Sequence, residues 1–199
     1  MILVFDTETS SLVDKNLSVN HPQQARLVEL GAILCDNDGT ERSTLSLIVR
    51  PDGWQVSPGA AAVHGITQEV AERSGVEVSL VMHLFAHMLD NASLALAYNM
   101  KFDRDVISLE LLRMGEPRPI EWPSEVRLEC VMELVTPVLN MPPTLKMKRA
   151  GILTPKPPKL SEAYMKLFDE DMIGAHSALA DARAAKRVWF RIKGHGNVY

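Results

Sequence analysis

The sequence predicts an α/β domain built on a mixed sheet. Three observations point there. The chain opens on the apolar run Ile2–Phe5, cut off at once by Asp6. Two more strand-like runs follow around an Asn-Asp-Gly turn. From Leu94 onward, apolar strands alternate with stretches of helical period. Taken in order, Ile2–Phe5 is continuous enough for a strand buried on both faces. Ser10–Gln24 is polar and irregular, a loop. Arg26–Cys35 and Ser43–Val49 read as strands joined in a hairpin by Asp36-Asn37-Asp38-Gly39. Thr67–Arg73 and Leu80–Leu89 read as helices, Leu94–Tyr98 as a strand and Phe102–Met114 as a helix. Glu125–Val138 holds a short strand and then a helix stopped by Pro137 or Pro142. Ser161–Phe168 and Ser177–Ile192 complete the set. No repeat or low-complexity linker divides the chain, so residues 1–199 read as a single domain.

Composition sets bounds on function. Hydrophobic residues are 46% and charged residues 23%, an ordinary globular balance. No basic stretch precedes the first apolar run, and none of the apolar runs approaches the roughly 20 residues of a membrane helix. Neither a secretory leader nor a membrane anchor is expected. The two cysteines, Cys35 and Cys130, lack metal-ligand spacing and read as thiols in a reducing cytoplasm. A net charge of −4 speaks against a phosphate binder, but bound divalent cations would cancel it locally. Between Leu134 and Ser161 there is no acidic residue, while Lys146, Lys148, Arg149, Lys156 and Lys159 lie among prolines. The stretch reads either as a solvated loop or as a basic strap that meets phosphates.

Three short patterns carry chemistry. In Asp6-Thr7-Glu8, residues two apart on a strand point the same way, so two carboxylates share a face and call for a hard cation between them. Asp103 follows Asn99 where a buried strand enters a helix, the usual place of a crevice in α/β sheets. In His176-x4-Asp181, Ser177 looks like a helix N-cap. The aspartate then sits on a rigid helix and the histidine on a lead-in after Gly174. Taken singly, each pattern also fits an acidic turn, a helix-start acid or a surface histidine.

In this order, the three patterns resemble the exonuclease motifs of the DEDD superfamily. His-x4-Asp in the last is similar to the DEDDh branch, which holds DnaQ-like proofreading subunits of bacterial DNA polymerase III, ribonuclease T and oligoribonuclease. Val63-His64-Gly65-Ile66-Thr67, Leu27-Val28-Glu29-Leu30-Gly31-Ala32 and Lys159-Leu160-Ser161-Glu162-Ala163-Tyr164 add to the likeness, which spans nearly the whole chain. The resemblance implies a ribonuclease H-like fold with a central five-stranded mixed sheet flanked by helices. It implies a metal-dependent 3′→5′ exonuclease acting on single-stranded nucleic acid, DNA favoured over RNA, with release of nucleoside 5′-monophosphates. Asp6, Glu8, Asp103 and Asp181 would hold two Mg²⁺ or Mn²⁺ ions, and His176 would be the general base. Backbone near Thr7 and Glu8 would meet the terminal 3′ hydroxyl. His64 and Asn99 would touch the last nucleotides, and Lys146, Lys148 and Arg149 the phosphates upstream.

Alternatives stay open. RNA 3′-end trimming or degradation of short oligoribonucleotides needs the same chemistry, and only contacts to a 2′ hydroxyl would separate them. A non-catalytic module would be expected to have lost one of the five catalytic positions. Tyr199 lies 18 residues past Asp181, leaving little room for a polymerase-docking extension, so a polymerase partner is uncertain.

Overall fold

The computed structural model describes residues 1–115 and 122–194. Its strands are β1 (Ile2–Thr9), β2 (Leu27–Cys35), β3 (Glu41–Ile48), β4 (Leu94–Ala97) and β5 (Arg127–Cys130). They form one five-stranded sheet in the order β3-β2-β1-β4-β5. The first three pair antiparallel, and β1, β4 and β5 pair parallel, so the sheet is mixed. The helices are α1 (Pro58–His64), α2 (Gln68–Ser74), α3 (Val78–Asp90), α4 (Met100–Arg113), α5 (Val131–Leu139), α6 (Leu145–Arg149), α7 (Leu160–Phe168) and α8 (Ala178–Ile192). Among the described residues no helix is long and apolar enough to cross a membrane.

The two-residue period of β1 decides what each sheet face does. Leu3 and Phe5 pack with Val81, Phe85, Val106 and Ile107 of α3 and α4. Ile2 and Val4 pack on the other face with Val131, Ala163, Ala182 and Val188 of α5, α7 and α8. Continued by two residues, this alternation aims Asp6 and Glu8 at α8 and Thr7 at α4. β1 and β4 run parallel, so Asp6–Glu8 and Asn99 open on the same edge of the sheet.

The structure departs from the sequence reading at several places. β1 continues past Phe5 because Asp6, Thr7 and Glu8 stay in register with Gly31, Leu30 and Glu29 of β2. Two helices carry no apolar period and were not expected. α1 starts at Ser57, whose side chain accepts from Ala60 N–H, and stops at left-handed Gly65; none of its residues is buried. α6 is a single turn within the basic stretch, capped by Thr144. Pro137 lies inside α5, which ends at left-handed Asn140, before Pro142. Cys35 is buried and Cys130 partly so, and both are free thiols. Burial pushes the Cys35 thiol up to about 11, which keeps it protonated and inert.

Candidate active site

The ends of β1, α4 and α8 bring the predicted carboxylates together. Ligand atoms of Glu8, His176 and Asp181 all lie within 4.8 Å of one another. Asp181 sits in the first turn of α8, its N–H bonded to the Ser177 carbonyl at 2.9 Å. His176 precedes the helix and is exposed. Its φ of 68° is unusual for a residue with a side chain. That turn directs the His176 N–H onto Asp181 Oδ1 at 3.2 Å. The imidazole stands at the rim of the cluster, and the aspartate is fixed by the helix.

Asp103, in the first turn of α4, is only 2% exposed. Thr7 holds it from the opposite side of β1. Its N–H and its hydroxyl both donate to Asp103 Oδ1, at 3.0 and 2.8 Å. Thr7, expected to offer its backbone to the substrate, thus has both donors engaged with Asp103. Asn99 caps the start of α4 without a side-chain bond and is exposed, leaving its amide uncommitted.

Burial first, and mutual repulsion second, hold these groups above the ordinary carboxylate range. Asp6 is raised well above it by burial and then by Asp103, Asp181, Glu8 and Glu29. Glu8 is pushed up to about 7 by burial, Asp181, Glu29 and Asp103. Asp103 rises to about 7 through burial, although its Thr7 bonds pull it down. Asp181 rises to about 6 through burial, opposed by His176. No Lys or Arg pairs with them among the described residues. A hard oxygen donor set under this repulsion fits divalent cations, which would restore the ionised forms.

Beside the carboxylates lies a cleft of about 400 Å³. Thr7 and Glu8 form its floor, and Leu12, Val63, His64 and Phe102 stand among its walls. His64 Nδ1 accepts from the Ile66 N–H at 3.1 Å, which leaves the proton on Nε2. Nε2 is buried without a hydrogen-bond partner of good geometry. Burial lowers the His64 pKa, with the Thr9 backbone acting against it, so the ring is a neutral donor.

The basic residues are placed differently. Lys146, Lys148 and Arg149 are exposed on α6, and no hydrogen bond or ion pair joins α6 to the carboxylates among the described residues. The segment returns to the site only at its end, where the Tyr98 hydroxyl donates to the Pro158 carbonyl at 2.8 Å, next to Asn99. Lys156 is spent on Glu162 at 2.6 Å.

Sequence reading gave Glu29 no part in the site beyond its place in Leu27-Val28-Glu29-Leu30-Gly31-Ala32. Ser177 is the N-cap of α8 but makes no side-chain cap bond. Glu29 Oε2 accepts from the Ala178 N–H instead, at 3.0 Å. Its presence in an otherwise apolar strand was the available signal.

The family model RNase_T, described as an exonuclease, matches residues 3–189. A search of the curated proteins finds no match. Among solved structures, E. coli Exonuclease I in complex with a dT13 oligonucleotide is similar at 19% identity and a TM-score of 0.74, over 94% of this chain and 40% of that one. A second structure of Exonuclease I reaches a TM-score of 0.77 at 20% identity, over 97% and 40%. The nuclease domain of 3′hExo, a DEDDh family member, bound to rAMP, is similar at 16% identity and a TM-score of 0.68, over 98% and 92%. The chain thus spans about 40% of the length of the Exonuclease I structures. At these identities the likeness speaks for the fold, the ribonuclease H-like sheet and helices that the motifs implied. With the family model covering residues 3–189, the chain belongs to the RNase_T exonuclease family.

Proposed function

We propose that this chain is a 3′→5′ exonuclease on single-stranded nucleic acid, DNA favoured, releasing nucleoside 5′-monophosphates. The observation that carries the reading is the juxtaposition of Glu8, His176 and Asp181 within 4.8 Å with a cleft that Glu8 itself lines. About 400 Å³ is within the range of sites that enclose a small organic group, here the terminal nucleotide. Leu12, Val63 and Phe102 give its sugar and base an apolar wall beside His64, and Asn99, exposed at the same edge of the sheet, would meet the strand next to it. DNA is favoured because the Exonuclease I relatives hold deoxyoligonucleotides. RNA trimming is the second reading, favoured by the DEDDh relative bound to rAMP. A cytoplasmic setting, argued from the two free thiols, belongs to the same proposal, and no polymerase partner is needed for it.

Asp6, Glu8, Asp103 and Asp181 would hold two divalent cations, Mg²⁺ or Mn²⁺. When bound, such ions supply positive charge to the phosphate and to the departing 3′ oxygen. His176 takes a proton from the attacking water as the new bond to phosphorus forms. The bond between phosphorus and the 3′ oxygen of the preceding nucleotide breaks, and that oxygen takes a proton from solvent, leaving a 5′-phosphate on the released unit and a new 3′ hydroxyl on the strand. Thr7 holds Asp103 in one orientation throughout.

The deciding experiment uses 3′-labelled and 5′-labelled single strands of DNA and RNA, with Mg²⁺, Mn²⁺ or EDTA. Labelled mononucleotide should leave the 3′ end first, only with metal, and blunt duplex should react more slowly because its end must fray. A ladder growing from the 5′ end, cuts in a circular single strand, or full activity in EDTA would each sink the proposal.

The basic turn makes a separate prediction. If Lys146, Lys148 and Arg149 meet backbone phosphates, neutralising all three should raise KM with a smaller effect on kcat. The slope of log affinity against log salt should flatten by about 2, at roughly 0.7 per phosphate contact on a single strand. An unchanged slope would make α6 a solvated turn and nothing more.

A further inference from the structure

We infer that Glu29 is a positioning residue of this site, clamping the first turn of α8 so that Asp181 and His176 stand at a fixed distance from Asp6 and Glu8. The inference rests on the roles proposed above for Asp181 and His176.

Glu29 is the third residue of β2, a strand buried at every position, and is itself 6% exposed. A carboxylate there is costly unless its oxygens are bonded. Among the described residues no cation pairs with it. Its two oxygens instead join two elements. Oε1 accepts from the Ser46 hydroxyl on β3 at 3.0 Å, and Oε2 accepts from the Ala178 N–H at 3.0 Å. Ala178 is the first residue of α8, where an unpaired N–H and the helix dipole both favour an anion.

Gly31, two residues on and on the same face, shows how closely the helix start is seated. A Cβ at Gly31 would fall 2.2 Å from the Ala178 carbonyl carbon and from the Leu179 nitrogen. Only a residue without a side chain allows this approach. The sheet register completes the joint, since Glu29 pairs with Glu8 and Gly31 with Asp6. The clamp therefore grips α8 directly across from the two β1 carboxylates. From Ala178 the chain reaches Asp181 within the same turn, and His176 precedes it by two residues. Apolar packing farther along α8 fixes the helix axis but leaves a first turn free to fray. Functional side chains tolerate only about 0.5 Å of such play.

A helix cap that served stability alone would leave metal binding untouched, so the test separates position from charge and from stability. Glu29→Asp keeps the charge but draws the acceptor back from the Ala178 N–H. Glu29→Gln keeps an acceptor at full length and loses the charge. Both are compared with wild type and Asp181→Ala by calorimetric Mn²⁺ binding to the metal-free protein, by kcat and KM on a 3′-labelled single strand, and by Tm. Expected for Glu29→Asp is a loss of roughly 10–100-fold in Mn²⁺ affinity and in kcat, the usual range for groups that orient metal ligands, with KM little changed. Glu29→Gln should recover most of that loss. Loss in both variants, in neither, or in Glu29→Gln alone overturns the inference, whatever happens to Tm. Wild-type activity and Mn²⁺ binding in Asp181→Ala would instead remove the proposed site itself.

Discussion

Replacing Asp6 with Asn should cut hydrolysis by on the order of 10³-fold or more, and yet make the metal-free protein more stable at pH 8. The first effect follows from removing a carboxylate that Asp103, Asp181 and Glu8 all repel, and so a member of the proposed metal-holding set. The second follows from linkage. A carboxyl whose folded pKa is raised above its unfolded value contributes stability that is fully present below the unfolded pKa. That stability is lost as pH rises through the folded pKa. Glu8 and Asp103 are raised to about 7 and Asp181 to about 6, so the metal-free chain should lose stability between about pH 4 and pH 7. Asp6 is raised as well and acts in the same sense. His64, lowered by burial, works the other way: its contribution is gained as pH rises through its lowered folded value and is complete above the unfolded one. Carboxylates held low, such as Glu41 and Glu162, act against the slope near pH 4 to 5 but are ionised in both states above about pH 5.5 and drop out there. The measurement is Tm against pH, from 5 to 8, in EDTA and in Mg²⁺. Wild type in EDTA should slope downward, Mg²⁺ should flatten the slope, and Asp6→Asn should flatten it without metal. Parallel slopes for the two proteins in EDTA would show that Asp6 is not under the repulsion described.

His176→Ala should lower kcat by roughly two to four orders of magnitude, the usual contribution of a positioned base. Only the neutral imidazole accepts a proton, so kcat of wild type at saturating Mg²⁺ should fall on the acidic side. The alanine variant should lose that limb. Its position close to Glu8 and Asp181 allows a second role, as a metal ligand, and the same variant separates the two. A base leaves Mn²⁺ affinity nearly unchanged, since the carboxylates remain; a ligand does not. His176→Tyr should keep part of the activity, because a phenol hydroxyl at the same rim can also take part in proton transfer. An acidic limb that survives in His176→Ala removes the residue from proton transfer.

What the sequence revealed was what neighbours along the chain decide. The shared face of Asp6 and Glu8 follows from the two-residue strand period, and the seat of Asp181 in the first turn of α8 from helix start signals. What it hid were contacts between distant segments. Thr7 and Asp103 are 96 residues apart, and Glu29 and Ala178 are 149 apart, so no local pattern announces either bond. Ser177 looked like a sufficient cap because its residue type is right, but the acceptor arrives from another strand. α1 stayed invisible because Gly59 and its alanines are small and none is fully buried, which leaves no period to read. The segment after α6 is tied down at Pro158 and Lys156, by Tyr98 and Glu162, and not through the lysines of α6.

The division of labour on β1 also bears on how this protein can change over generations. Asp6 and Glu8 serve one face and Thr7 the other, so a single residue inserted or deleted before Asp6 would exchange them. The acids would be driven toward Phe85 and Ile107, and apolar residues would be turned toward α8. Such a strand can accept substitutions but not changes of length. The loop between Ser10 and Arg26, tied at its base by the Ser10 N–H to the Arg26 carbonyl at 2.9 Å, has no such parity to preserve. Variation in length should therefore gather there, against the Leu12 wall of the cleft, where it would alter which strand ends are admitted while leaving the chemistry in place.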